Sequence, residues 1–383
     1  MIPYGRQDIS EADIEEVVAV LRSDWLTQGP AIDRFETALA AYCGAKHAVA
    51  VSNGTAALHL SCLAAGLKSG ERLWTSPNTF VASANCGLYC GASVDFVDID
   101  PATFNMSAVA LQTKLEAAAR DGQLPQIVIP VHFAGQPCDM AEIRRLSEQY
   151  GFRVIEDASH ALGGDYRGEK IGACSHSEMA VLSFHPVKII TTGEGGAILT
   201  NSTELYEKLR RLRTHGIVRE PHLMENQPDG PWYYEQIELG FNYRITDIQA
   251  ALGTSQLRRA DQFIARRRML AERYQRGLAG LPLVSQMPLD GGVSAWHLYV
   301  VRLKAARVGH RELFEKLRAA GIGVNLHYIP VYRQPYYQRL GFSAGNFPEA
   351  EAYYREAISL PLYPGLSEAA QDSVINQLVN LLG

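Results

Sequence analysis

From His47 onward, short apolar runs alternate with helical stretches, and no other feature constrains the fold of this chain as tightly. His47-Ala48-Val49-Ala50-Val51, Arg72 to Thr75, Val94 to Val97, Ile127 to His132 and Arg153 to Glu156 read as short buried strands. Thr79 to Cys90, Ser107 to Arg120 and Met140 to Tyr150 read as the helices between them. Parallel strands cannot be joined by a tight turn. Each crossover takes a helix-length connection, and its right-handedness lays helices on the faces of the sheet. The expected class is α/β, with a mostly parallel central sheet covered by helices. Ligands in such sheets sit at the carboxyl ends of the strands.

Two helical patterns precede the sheet. Ser10 caps a run with an acidic first turn (Glu11, Asp13) in which Ile14, Val17, Val18 and Leu21 recur with helical periodicity. Ile32, Phe35, Leu39 and Tyr42 mark the second, which stops at Gly44. Beyond about Ile245 the sequence becomes a long arginine-rich helical stretch reaching about Leu278. Strand-like Trp296 to Leu303 follows, then helical segments around Arg311 to Ala320, Pro348 to Ile358 and Ser367 to Leu382. This predicts an N-terminal arm and large domain over 1–245 and a smaller α+β domain over 246–383. Pro282 to Gly292 is the expected flexible loop.

Of 383 residues, 36 are Lys or Arg and 41 Asp or Glu, a formal net charge of -5. Mild acidity without a long basic run argues against nucleic acid as a partner. Arg210-Arg211-Leu212-Arg213, Arg258-Arg259 and Arg266-Arg267-Arg268 lie in helical patterns and read as solvated or interface faces. The most apolar stretch, Cys43 to Leu67, is broken by Lys46, Ser52, Asn53 and His59, well short of the ~20 apolar residues of a membrane span. Met1 to Asp8 lacks the apolar run of a signal peptide. The six cysteines (Cys43, Cys62, Cys86, Cys90, Cys138, Cys174) are scattered through apolar segments, as reduced thiols would be. A cytoplasmic location is the expectation. Neither the Cys86/Cys90 spacing nor His132, His176 and His215 form a metal-ligand pattern, so no metal is expected.

Three segments carry chemistry. Ser52-Asn53-Gly54-Thr55-Ala56-Ala57-Leu58 follows a strand and opens a helix. It serves either as a plain helix cap or as an anion site, where free N–H groups and the positive helix end meet a phosphate. Asp157, in Val154-Ile155-Glu156-Asp157-Ala158-Ser159-His160, is either a turn residue or a strand-end carboxylate facing a ligand. Lys188, in Ser183-Phe184-His185-Pro186-Val187-Lys188, is either a solvated charge or an amine held inside, where desolvation makes it a nucleophile. No Walker motif is present, and Gly193-Glu194-Gly195-Gly196 leads into the strand-like Ala197-Ile198-Leu199-Thr200 rather than a helix, against a Rossmann site. Taken together, an anion cradle, a strand-end Asp and a sequestered Lys are what pyridoxal 5'-phosphate needs for its phosphate, ring nitrogen and aldehyde.

With these segments in hand, the chain resembles the DegT/DnrJ/EryC1/StrS sugar aminotransferases, which have the type I fold of pyridoxal-phosphate enzymes. The resemblance covers nearly the whole chain. It rests on Leu26-Thr27-Gln28-Gly29-Pro30, Ser52 to Leu58, Glu156 to Ala161, Ser183 to Lys188, Gly193 to Gly196 and Gly240-Phe241-Asn242-Tyr243-Arg244. It implies that Lys188 binds the cofactor aldehyde and shuttles the proton, and that Asp157 pairs with the ring nitrogen. Members that dehydrate sugars carry His at the position of Lys188, so the lysine implies transamination. Phe80 matches the aromatic that stacks on the ring, and His160 the partner of the ring hydroxyl. Gly54, Thr55 and Ser183 would hold the phosphate with Asn242 of the neighbouring subunit, in a homodimer with shared active sites.

Within the family, Ile2 to Gln7, Asp24-Trp25-Leu26-Thr27 and His327-Tyr328-Ile329-Pro330-Val331-Tyr332 look most like the pseudaminic acid branch. That branch moves the amino group of L-glutamate to C4 of a UDP-linked 4-keto-6-deoxy-N-acetylhexosamine. The match would place Tyr4, Asp24, Trp25, Leu26, Thr27, Ser183, Asn242, His327, Tyr328, Ile329 and Pro330 around the UDP-sugar; Arg244 is a hypothesis for the glutamate carboxylate, and the match does not say which residue binds it. The alternatives are a sister aminotransferase for a UDP-bacillosamine precursor, GDP-perosamine or dTDP-sugar ketone and, more remotely, a non-catalytic cofactor-binding regulator. Cofactor and substrate are both anionic, so the attracting field would come from the Gly54-Thr55 helix end, Lys188 and nearby arginines.

Overall fold

The computed structural model describes residues 1–383. Seven strands form the central sheet: β1 His47–Val51, β2 Arg72–Thr75, β3 Ser93–Phe96, β4 Ile127–Ile129, β5 Arg153–Asp157, β6 Met179–Ser183 and β7 Gly196–Thr200, in the order β1-β7-β6-β5-β4-β2-β3. The pairs β3/β2, β2/β4, β4/β5 and β5/β6 are parallel, and β7 runs antiparallel to both β1 and β6. The sheet is therefore mostly parallel and the class α/β. Alternate residues of β1 enter opposite layers, Ala48 and Ala50 one apolar cluster and Val49 and Val51 the other, as a strand buried on both faces requires.

The connecting helices are α1 Glu11–Leu21, α2 Pro30–Cys43, α3 Gly54–Ala64, α4 Ala82–Tyr89, α5 Ala108–Asp121, α6 Met140–Tyr150 and α7 Thr203–Arg213. Ser10 caps α1 reciprocally with Asp13, and Gly44 ends α2 in the left-handed conformation that glycine adopts without a Cβ penalty. The arginine-rich stretch is two helices, α8 Asp247–Leu257 and α9 Ala260–Gly277, separated at Arg258-Arg259. α8 packs against α1 and α2, and the Asp247 carboxylate accepts the N–H groups of Gly29 (2.8 Å) and Ala31 (2.9 Å) at the start of α2.

A second, antiparallel sheet joins β8 Leu283–Ser285, β9 Tyr299–Leu303 and β10 Ala357–Leu360, backed by His310–Ala319 and Glu368–Leu382; its apolar cluster begins at Leu270 in α9. The expected loop Pro282 to Gly292 thus contains a strand, too short and too exposed for its alternation to register in the sequence. The expected strand from Trp296 begins only at Tyr299, because Trp296 takes a left-handed φ of 51° that breaks the extended run. All six cysteines are free, and no helix is long and apolar enough to cross a membrane.

Candidate active site

A cavity of about 810 Å3 opens at the carboxyl ends of the strands. It brings together Tyr4, Gly54, Thr55, Phe80, Asp157, His160, Ser183, Lys188, His327 and Tyr328.

Its floor is the start of α3. Asn53 caps the helix by accepting the Ala56 N–H at 2.8 Å, so the segment is a cap as well as a cavity wall. The N–H groups of Gly54 and Thr55 precede the first intrahelical bond and are left for an anion. Two glycines make this possible. A Cβ on Gly196 would lie 2.7 Å from the Gly54 nitrogen, and one on Gly54 would lie 3.1 Å from the Ser183 Cβ, closing the space between the helix end and that serine.

β5 alternates its carboxylates. Glu156 turns away from the cavity and accepts from His132 Nε2 (2.7 Å) and Ser177 Oγ (2.5 Å). Asp157 turns toward the cavity, 5% exposed; its Oδ2 accepts from Ser83 Oγ at 2.6 Å and its Oδ1 from the Ser159 N–H at 3.1 Å. It is both a turn residue and a cavity residue. Ser83 lies 2.7 Å from Thr79 Oγ1, so its single proton goes to the carboxylate while it accepts from Thr79. Sequence reasoning missed Ser83 and Thr79; their one signal was two hydroxyls four residues apart at a helix start.

Lys188 sits half-buried across the cavity in a loop closed by the Lys188 N–H to His185 carbonyl bond (2.8 Å) and the Thr191 hydroxyl bond to the Phe184 carbonyl (3.0 Å). Burial pushes its ammonium down to about 8, against the opposing pull of the Asp157 charge. Roughly a tenth of the amine is then neutral at pH 7. Burial, followed by the Lys188 charge, also lowers His327 to about 4 and holds His160 well below its ordinary range. His297, absent from the sequence expectations, lines the same cavity with its ring 4.3 Å from that of His160.

The other expected residues lie elsewhere within one chain. Trp25 and Arg244 share a separate cleft of about 470 Å3 with Arg210 and Arg213. Asp24 and Leu26 are exposed, and Thr27 is bridged to Thr246. Asn242 is exposed and bridged to Thr214, while its neighbour Tyr243 reaches the cavity. Ile329 is exposed and Pro330 buried beside the cavity rather than lining it.

The cradle that a Cβ at residue 54 would fill, the buried carboxylate with unused lone pairs and the amine of lowered pKa match, in kind and number, the phosphate, ring nitrogen and aldehyde of pyridoxal phosphate. Phe80, 59% exposed, offers a ring face at the rim.

The pattern of the DegT/DnrJ/EryC1/StrS aminotransferase family matches residues 7–379. The spore coat polysaccharide biosynthesis protein SpsC of Bacillus subtilis is 40% identical, covering 100% of this chain and 97% of its own. The UDP-4-amino-4,6-dideoxy-N-acetyl-beta-L-altrosamine transaminase of Campylobacter jejuni is 36% identical over 100% of this chain and 98% of its own. The solved PMP form of Spr1654 from Streptococcus pneumoniae superposes with a TM-score of 0.90 at 29% identity, covering 100% of this chain and 99% of that one.

Proposed function

The chain belongs to the DegT/DnrJ/EryC1/StrS aminotransferase family, and from that premise we propose that, with pyridoxal 5'-phosphate bound, it moves the amino group of L-glutamate to C4 of a UDP-linked 4-keto-6-deoxy-N-acetylhexosamine. The observation that carries this reading is that Lys188, Asp157 and the start of α3 face one cavity. When bound, the cofactor supplies an aldehyde that takes up an amino group and a ring that delocalises the electron pair left by proton removal. Lys188 would hold the cofactor's aldehyde end through Nζ, and its freed amine would carry the proton to and from the reacting carbon. Asp157 keeps a proton on the ring nitrogen. Gly54, Thr55 and Ser183 bind the phosphate, together with Asn242 of the partner subunit. Phe80 would cover the ring from the rim and shield it from water.

Around the substrate we place Tyr4, His327 and Tyr328 from the same chain, with the Asp24 to Thr27 loop and Arg244 acting across a homodimer. The exposure of Trp25 and Asn242, outside their own chain's cavity, supports that sharing. Six free thiols support a reducing, cytoplasmic setting. The choice of sugar is supported by the Campylobacter jejuni relative and by the Ile2 to Gln7 and His327 to Tyr332 segments. The second reading is a sister enzyme for another nucleotide-4-keto-6-deoxy sugar, supported by the 40% identity to a relative of a different name, SpsC.

A panel of UDP-, GDP- and dTDP-linked 4-keto-6-deoxy sugars incubated with glutamate, read by mass, decides between them. The proposal expects an aminated product from the UDP-N-acetyl ketone. Amination of a GDP or dTDP ketone alone selects the sister reading, and turnover of any ketone in the panel excludes the non-catalytic alternative.

A further inference from the structure

The backbone N–H of Ala134 donates to Nδ1 of His160 at 3.3 Å, and Nε2 of the same ring lies 3.1 Å from the Tyr328 hydroxyl. An amide can only donate, so Nδ1 bears no proton and the ring, neutral, carries its one proton on Nε2. That proton is donated to the Tyr328 oxygen. The phenol's own proton is then free, and the Tyr328 hydroxyl makes no other hydrogen bond within the chain. Tyr328 lines the cavity with Tyr4 and Asp157.

The arrangement is built into the backbone. Ala134 is held at a φ of 59°, a left-handed conformation costly for a residue with a Cβ, in the turn that aims its N–H at His160. The next peptides lock the turn: Leu298 N–H donates to the Ala134 carbonyl (3.2 Å) and Ala295 N–H to that of Gly135 (2.9 Å). His160 was expected to meet the cofactor's ring hydroxyl itself, yet both of its nitrogens are engaged inside the chain.

We infer that His160 is a positioning residue that fixes the Tyr328 hydroxyl as a hydrogen-bond donor to an acceptor oxygen of the molecule held in the cavity. The inference rests on the proposed function only for whose oxygen that is, the cofactor ring's or the keto sugar's. Burial first, then the neighbouring Lys188 charge, keeps His160 neutral, as the relay requires.

The proton's place is read directly in holoenzyme labelled with [15N]histidine, the His160 signals being those lost in His160→Ala. An unprotonated Nδ1 and a protonated Nε2 are expected. A proton on Nδ1, or on both nitrogens, overturns the relay whatever the substrate proves to be. Tyr328→Phe then identifies the acceptor. If it is the cofactor's ring oxygen, the pH midpoint of the visible cofactor band shifts and the cofactor dissociates about three- to tenfold more readily. If it is the sugar's, KM for the keto sugar rises by a similar factor with the band unchanged. Absence of both changes overturns the inference. In the Tyr328→Phe background His160→Ala adds little further loss, and full additivity of the two losses also overturns it. Should His160→Ala fail to fold, Tyr328→Phe remains decisive.

Discussion

Ser83 Oγ donates to Asp157 Oδ2 over 2.6 Å, tying the first turn of α4 to the end of β5. The bond holds the carboxylate in one orientation, as pairing with a ring nitrogen requires. Ser83→Ala is expected to lower kcat roughly tenfold and to weaken cofactor retention, the scale of a hydrogen bond to a charged group. Ser83→Thr keeps the hydroxyl and most of the activity. Steady-state rates and cofactor dissociation check this, and wild-type values in Ser83→Ala would refute it.

The lowered pKa of Lys188 sets a pH profile. Only the neutral amine attacks an aldehyde, so uptake of pyridoxal phosphate by cofactor-free protein should rise with pH through about 8 and level off above it. The sign for stability is the reverse of an ion pair's. Burial penalises the charged form, so the cofactor-free fold is held back at neutral pH and gains stability as pH climbs from about 8 toward the free-lysine value. An uptake midpoint near that free value, about 10.4, contradicts the assignment.

Arg244 lies outside the cavity of its own chain, beside Trp25. Arg244→Ala is expected to raise KM for glutamate at least about tenfold, the loss of a carboxylate partner, with the cofactor band unchanged. If the residue serves the other subunit, mixed dimers of Arg244→Ala and Lys188→Ala chains regain, at low glutamate, activity above that of either parent. Unaltered glutamate kinetics would sink the role, and no recovery on mixing would sink its action across subunits.

Asp13 is fully buried, with Oδ2 receiving Arg259 Nη2 (2.5 Å) and Gln256 Nε2 (2.8 Å), and so joins α1 to the α8–α9 junction. Burial opposes its ionisation, but bonds from Ser255, Ser10 and Gln256 outweigh this and hold its pKa below the usual value. Its contribution is thus present at neutral pH and lost as pH falls through the carboxylate range. Asp13→Ala is expected to cost about 2–3 kcal/mol, discounted from a fully buried pair because Arg259 is partly exposed. Urea unfolding at pH 7 measures it, and a cost under about 0.5 kcal/mol, that of an ordinary surface change, counts against it.

The parallel strands and their helices were legible because βαβ text has a strong period, and Gly54, Asp157 and Lys188 because each stands where strand meets loop. The strand-like Ala197 to Thr200 was legible too, but the antiparallel direction of β7 was not, since Gly193 to Gly196 reads as a turn without saying which way the next strand runs. β8 was hidden by its length of three residues. Ser83 and Thr79 escaped because their importance comes from β5, some seventy residues later in the chain, whose carboxylate they meet. The positions of Asn242 and Arg244, away from Lys188 in one chain, reflect tertiary placement that no local pattern encodes.

The central claim is that one lysine, in one cavity with Asp157 and the start of α3, holds the cofactor. Borohydride reduction of the holoenzyme followed by peptide mass mapping tests it most directly. The account predicts the pyridoxyl group on Lys188 and its absence, along with loss of the visible cofactor band, in Lys188→Ala. Attachment at another lysine, or a band that survives in Lys188→Ala, would contradict it.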